Sequence, residues 1–287
     1  MDEIHELLGD KRILFILNSN LQGIKLLGLT ATIDRKTKYV IQKEELTKFE
    51  YLEKFCPIIY TYNINHATED KNIRNIKFFI FKHNLTTTKN IETGPKNKRW
   101  TTSEKLQYEY LEREFKKACF SKDDGHKDFR VRNAASNRAR FLYSLPSKIP
   151  LVQELTSKLK GKTLVFGLDN KSLLSICPTS IVESNKNVIQ DLANFKSGIT
   201  TLTCSNRMLK QGENIPDLTN LIYHSYYGKI VPTVQTLGRL RKSEEQGVVI
   251  LFLTSNTQEE VWFKNATEGL LADWIYCTSI EEIIQKI

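Results

Sequence analysis

The sequence lacks several features, and each absence excludes a class of protein. No stretch of the 287 residues approaches the ~18 consecutive apolar residues of a transmembrane helix. Asp2 and Glu3 stand where a secretory leader would carry positive charge, so the N-terminus does not read as a signal peptide. The five cysteines (Cys56, Cys119, Cys177, Cys204, Cys277) include no CxxC pair and no His/Cys cluster. That scatter argues against a zinc site and for a reducing, cytoplasmic setting without disulfides. No GxGxxG loop is present, which sets aside the dinucleotide-binding enzymes, and no GxxxxGK[ST] occurs anywhere. No internal repeat or low-complexity tract is visible.

What is present is ordinary in amount: 40% hydrophobic and 26% charged residues, in a chain long enough for one large core or two smaller ones. The 42 Lys and Arg against 33 Asp and Glu give a net charge of +9. That excess suits a polyanionic partner such as nucleic acid, and equally a lysine-rich composition that only keeps the protein soluble.

Arg12–Asn18 (RILFILN) reads as a strand or part of a helix, and Ile24–Leu29 (IKLLGL) as a buried strand running into a Thr-rich end. From Lys36 to about Tyr51 the pattern is charged and compatible with a helix. Ile58–Tyr62 and Ile76–Lys82 are strand candidates, and Thr86–Arg99 reads as an exposed loop. Ser103 is placed to cap a helix through Lys117, followed by a loop over Ser121–Phe129. Helices are expected at about Asn133–Leu145 and Ile149–Leu159, with Arg138 and Lys148 on their surface. Beyond Leu159 the rhythm becomes regular: TLVFG, Ile181–Glu183, TTLTCS, LTNLIYHS and GVVILFLT are short, nearly continuous apolar strands with helical intervals. This describes a parallel sheet covered on both faces.

Gly161-Lys162-Thr163 imitates the end of a phosphate-binding loop. A working loop follows a strand and opens a helix, whereas this one precedes TLVFG, so it reads as a turn. Other short stretches carry chemistry of their own. Asp2-Glu3-x-His5 is an acidic pair with a histidine. Thr30-Ala31-Thr32 ends an apolar run with two hydroxyls. Gln211-Gly212-Glu213-Asn214-Ile215-Pro216 separates two strands, and Gln235-x-x-Gly238-Arg239 is followed by Arg241 and Lys242. Guanidinium groups near a nucleotide can stabilise charge on transferring phosphoryl oxygens. Any one of these pieces alone reads as a polar turn or a solvated helix face.

Taken in order, they resemble the DExH-box helicases and translocases of superfamily 2, of the phage and viral DNA type. The resemblance covers nearly the whole chain. It implies an α/β fold in which a RecA-like parallel sheet, with helices on both faces, forms the helicase C-terminal motor domain over residues 66–287. A remnant of a first RecA-like domain, over residues 1–65, would precede it. By the same resemblance Asp2 and Glu3 hold Mg²⁺ and position the attacking water, and His5 completes the box. Thr30, Ala31 and Thr32 couple nucleotide state to nucleic-acid binding, and Gly212 and Asn214 contact nucleotide and strand. Gln235, Gly238 and Arg239 form the arginine-finger motif. ATP and Mg²⁺ are the implied cofactors, and nucleic acid, leaning toward DNA, is the implied partner. No membrane partner is implied, and the setting is cytoplasmic, in the host cell for a viral protein.

Two departures from the family pattern stand out. The last motif usually ends Gly-Arg-x-x-Arg, whereas this sequence has Lys242, with Arg241 one place earlier, and lysine lacks the bidentate fork. The box begins at Asp2, whereas a full motor carries its P-loop upstream of the box, so no P-loop is read in this sequence. ATP turnover by this chain alone is expected to be negligible. Three readings remain open: one piece of a split helicase, a fragment describable as a helicase C-terminal domain, and a non-enzymatic nucleic-acid- or partner-binding module. Trp100, in KNKRWTT, could stack on a base or be exposed by chance. His224, ending a strand, is equally a ligand contact or a structural histidine. Trp262 and Trp274, in helical apolar spacing, read as packing residues.

Overall fold

Short runs of Val, Ile, Leu and Phe favour extended backbone, because branched and aromatic side chains pack well on a pleated surface. In the computed structural model these runs become the strands of one sheet. The structure describes residues 38–41, 44–47, 50, 53, 75–95, 97–122, 125–206, 209, 215–225, 240, 246–267 and 273–287. The chain divides into two units, Met1–Glu69 and Asp70–Ile287.

In the first unit, β1 (Lys38–Ile41) pairs antiparallel with β2 (Glu44–Thr47), Ile41 opposite Glu44. The helix expected from Lys36 is therefore replaced, over these residues, by a strand pair. Tyr39, Val40 and Ile41 have strand propensity that outweighs the scattered charges. Thr47 and Glu50 exchange hydrogen bonds as a capping box: Thr47 N and Oγ1 donate to Glu50 Oε2 at 2.7 and 2.8 Å, and Glu50 N donates to Thr47 Oγ1 at 3.1 Å. The stretches around Arg12–Asn18, Ile24–Leu29 and Ile58–Tyr62 lie outside the described residues.

The second unit is built on six parallel strands: β3 (Ile76–His83), β6 (Lys162–Phe166), β7 (Leu202–Ser205), β8 (Leu218–Tyr223), β9 (Gly247–Thr254) and β10 (Trp274–Cys277). Their order across the sheet is β10-β3-β9-β8-β6-β7. All eight residues of β9 are buried, as a central strand covered on both sides requires. On one face Phe79, Phe81, Val165, Ile222, Ile250 and Phe252 pack against three helices. These are α3 (Lys148–Lys158) through Val152 and Leu155, α4 (Asn170–Ile176) through Leu173 and Ile176, and α7 (Ile280–Lys286) through Ile280 and Ile283. Each such side chain contributes about 1.5–3 kcal/mol on burial. The alternate residues Ile80, Leu164, Leu221 and Leu251 are buried on the opposite face.

A hairpin and two helices lie in the chain between β3 and α3. Strands β4 (Lys89–Thr93) and β5 (Trp100–Ser103) form an antiparallel hairpin, where the sequence reads as a loop. The strands are short and mostly exposed, so they show little apolar patterning. Helices α1 (Glu104–Phe120) and α2 (Lys127–Tyr143) follow. Ser103 caps α1 by accepting from Leu106 N at 3.3 Å. α5 (Val188–Ser197) and α6 (Gln258–Thr267) complete the described helices. Ile181 makes a single bridge to Ser205 where a strand is expected. Trp274 lies on strand β10 rather than a helix, and its ring lies 4.9 Å from that of Phe78 and 5.2 Å from that of Phe263. Trp262, on α6, packs with Tyr143 at 5.5 Å. No described helix is long and apolar enough to cross a membrane.

Candidate functional site

From β6 the chain runs outward to the edge strand β7, then returns across β6 to β8 and continues to β9. The sheet order therefore reverses beside β6, and in open α/β sheets ligands bind at the carboxyl ends of the strands at such a switch point. Here that end is densely polar. Gly167, just after β6, donates its N–H to Ser205 O at 3.1 Å, and a Cβ there would press on Leu173 and approach His224 Nδ1 at 3.6 Å. Only glycine lets β6, α4 and the end of β8 come this close. Leu168 N donates to Ser225 Oγ at 2.9 Å, and His224 N donates to Phe166 O at 2.8 Å.

Asp169 caps α4, accepting from Ser172 N at 2.8 Å and Ser172 Oγ at 2.6 Å. Asn206, after β7, donates to Asn170 Oδ1 at 2.6 Å, and Asn170 reaches Glu183 Oε2 at 3.4 Å. These residues form the floor of a cleft of about 620 Å³, and Arg140 and Tyr143 of α2 form its far wall. A cleft with amides, carboxylates and a guanidinium can orient a polar, extended ligand; its own chemistry is binding rather than bond-breaking.

Several polar side chains are buried outside the cleft's lining. His224 is fully buried, and neither ring nitrogen has a partner among the described residues. Burial, then the charge of Lys148, then His83 lower its pKa to about 3. His83, at the end of β3, is lowered to about 4 by burial and by Lys148, against an opposing pull from Glu104. Lys148 is wholly buried in an ion pair with Glu259, and Arg138 is buried beside Glu112. The expectation that both cations sit on helix surfaces is corrected: each meets a carboxylate far away in sequence.

Ser147, His83 and Glu104 meet as well, but not as a hydrolytic triad. Ser147 Oγ donates to Glu104 Oε2 at 2.7 Å, so its hydroxyl proton is committed to the carboxylate. His83 Nε2, 2.9 Å from Ser147 Oγ, must then donate rather than accept, and it cannot serve as the base. Its Nδ1 is left as a buried acceptor without a partner among the described residues. Glu104 also accepts from Ser147 N, Thr86 N and Asn90 Nδ2, which fixes it structurally. No described group of three or more His, Cys, Asp or Glu could hold a metal ion.

Gly161 turns into β6 with φ +83, and Lys162 Nζ donates to Pro216 O at 2.8 Å and Lys196 O at 3.2 Å. That lysine is occupied by carbonyls, so the GKT stretch is no phosphate grip. Of the candidate site residues, His224 and Trp100 are described. His224 stands at the switch point, while Trp100 opens β5 on the β4–β5 hairpin and is 53% exposed. Asp2, Glu3, His5, Thr30, Ala31, Thr32, Gly212, Asn214, Gln235, Gly238, Arg239, Arg241 and Lys242 lie outside the described residues. The described residues do not fit a nucleotide phosphate site of their own. Sequence reading missed Asp169, Asn170, Asn206 and Arg140, whose only signal is their position after strands or on the helix facing them.

No protein-family model and no curated protein sequence matches the chain. Solved structures do. A variant of Saccharomyces cerevisiae Dbp5 bound to RNA and ADP BeF3 superposes with a TM-score of 0.56 at 12% identity, covering 99% of this chain and 61% of that one. A second Dbp5 structure, also bound to RNA and ADP BeF3, gives 0.54 at 11% identity over the same shares. The fold is that of RecA-like helicase domains. The chain spans 61% of the length of the two Dbp5 structures.

Proposed function

We propose that the chain is part of an ATP-dependent superfamily 2 helicase or translocase acting on nucleic acid, and DNA in particular. It supplies the acidic box Asp2-Glu3-x-His5 and, over residues 66–287, the arginine-finger domain, which follows a remnant of the first RecA-like domain over 1–65. The observation that carries this reading is where the late motifs fall in the chain. In chain order the segment with Gly212 and Asn214 follows β7 and precedes β8, and the segment with Gln235, Gly238 and Arg239 follows β8 and precedes β9, as the resembled family orders its late motifs. In the resembled family, closure of two such domains on ATP brings an arginine to the transferring phosphoryl group, which stabilises its charge. Arg239 is the candidate for that role, Arg241 and Lys242 are its neighbours, and Asp2 and Glu3 would hold Mg²⁺ once a P-loop grips the nucleotide. Thr30, Ala31 and Thr32 would carry the nucleotide state to the bound strand.

A second reading is a non-enzymatic nucleic-acid- or partner-binding module with the same fold; the GKT lysine, Lys162, is tied to two backbone carbonyls and grips no phosphate under either reading.

ATP turnover stimulated by nucleic acid separates the two. The chain alone should bind nucleic acid with strong salt dependence and show no turnover. Material purified with its co-purifying chains should turn ATP over, and Arg239→Ala should abolish that activity. Turnover by the chain alone, lost in Arg239→Ala, would overturn the reading that this sequence carries no P-loop of its own. Nucleic-acid binding without turnover in any combination would make the chain a binding module.

A further inference from the structure

The segment between β3 and α3 carries a charge imbalance that the sheet does not. From Asn84 to Ser147 there are fourteen Lys and Arg against eight Asp and Glu, which is +6 of the chain's +9. Its β4–β5 hairpin brings one large aromatic to the surface. Trp100 is 53% exposed although it opens a strand, where Thr93 lies opposite it. The indole is nevertheless held. Gly94 has φ +105, and a Cβ at that position would run into the Trp100 ring and Lys98 O, so the bare backbone of Gly94 supports the six-membered ring. Arg99 precedes Trp100 and pairs with Glu92 at 2.9 Å while its own side chain stays 52% exposed. Lys98 precedes it, and Lys105 follows in the first turn of α1.

A fixed, half-exposed indole among cations has an apolar face to cover and phosphate-seeking charge around it. Base-paired nucleic acid hides its base faces, whereas an unpaired base offers one. We propose that this hairpin is a binding site for single-stranded nucleic acid, in which Trp100 stacks on an unpaired base and Arg99 and Lys98 contact the adjacent phosphates. The site is built by the β4–β5 hairpin and is separate from the carboxyl-end cleft. It presupposes the nucleic-acid-binding function proposed above and adds where and how one strand is held.

The test uses the full chain and fluorescence anisotropy with a labelled mixed-sequence single strand and its duplex. Trp100→Ala should weaken single-strand binding by roughly five- to hundredfold and leave duplex binding unchanged. Trp100→Phe, which keeps a stacking ring, should remain within a few-fold of the wild type. Arg99→Ala should weaken binding and flatten its salt dependence. Single-strand binding should quench a part of the tryptophan emission that Trp100→Phe lacks; this readout stands even if Trp100→Ala proves unstable. Wild-type affinity in Trp100→Ala, or equal losses on single strand and duplex, would overturn the hairpin site alone. So would loss of a co-purifying protein with oligonucleotide binding intact, which would make the hairpin a protein contact. If the wild-type chain binds no nucleic acid at all, the proposed function itself fails and the hairpin site with it.

Discussion

Lys148 Nζ lies 2.7 and 2.8 Å from the two carboxylate oxygens of Glu259, and the two side chains are only 0% and 1% exposed. The pair ties the first residue of α3 to the first turn of α6, and Glu259 also accepts from Thr254 N at 2.8 Å at the end of β9. Two charges this deep are costly to desolvate, and each is tolerable only because the other is present. Lys148→Met or Glu259→Gln alone should lower unfolding stability by about 3–5 kcal/mol, whereas Lys148→Met with Glu259→Leu should lie much closer to the wild type. Urea or guanidinium unfolding curves of the three variants measure this. Equal losses in the single and double variants would show that packing, rather than the unpaired charge, sets the cost.

Burial first, and then the charge of the same lysine, set the acid side of the stability profile. His83 and His224 titrate at about 4 and about 3 when folded, against 6.5 for an ordinary histidine. Below pH 6.5 the unfolded chain therefore takes up protons that the folded chain refuses. Stability is complete above pH 6.5 and falls as the pH drops through the window toward 4 and then 3. His83 alone accounts for roughly 3 kcal/mol across that window. Unfolding midpoints measured from pH 7.5 to 4 should decline steadily, and His224→Asn should make the decline shallower. A flat profile through pH 5 would contradict the buried, neutral assignment of both rings.

Arg138 has an analogous role in the α1–α2 helical hairpin. It pairs with Glu112 of α1 and lies over the Phe115 ring, 4.0 Å from its centroid. The guanidinium joins the two helices by charge and by stacking, so lysine should not replace it. Arg138→Ala and Arg138→Lys should both loosen the hairpin, seen as faster amide exchange along α1 and α2 while exchange in β9 stays protected. Uniform loss of protection across the sheet would instead make Arg138 part of the global core.

The sheet was legible in the sequence because its strands are covered on both faces. IKFFIFK, TLVFG, LTNLIYHS and GVVILFLT are nearly continuous apolar runs, and such runs stand out against polar intervals. The β4–β5 hairpin was not, since KNIET and WTTS are short and mostly exposed, and their Gly-Pro link looks like a loop. Lys148 and Arg138 lay beyond periodicity altogether. Their partners are 111 and 26 residues away, and only the fold brings those carboxylates near. The late motif segments could be ordered along the chain from residues alone. The floor of the cleft, Asp169, Asn170 and Asn206, is ordinary helix-capping and turn chemistry until two adjacent strands place it at one edge.

Gly94 offers the sharpest local test of how the exposed indole is held. Its φ of +105 suits glycine alone, and its missing Cβ leaves the space that the Trp100 ring occupies. Gly198, at the end of α5, has φ +82, and a Cβ there would meet nothing within 4 Å, so it isolates the backbone cost from the clash. Gly198→Ala should cost about 1 kcal/mol, whereas Gly94→Ala should cost about 1–3 kcal/mol, confined to the hairpin. Because that hairpin can open without the sheet, the loss should appear as faster exchange of the β4 and β5 amides and a red-shifted Trp100 emission, with the main unfolding transition little moved. If Gly94→Ala leaves both readouts unchanged, the indole is not seated on that glycine. Its exposure would then reflect a free side chain rather than a fixed platform.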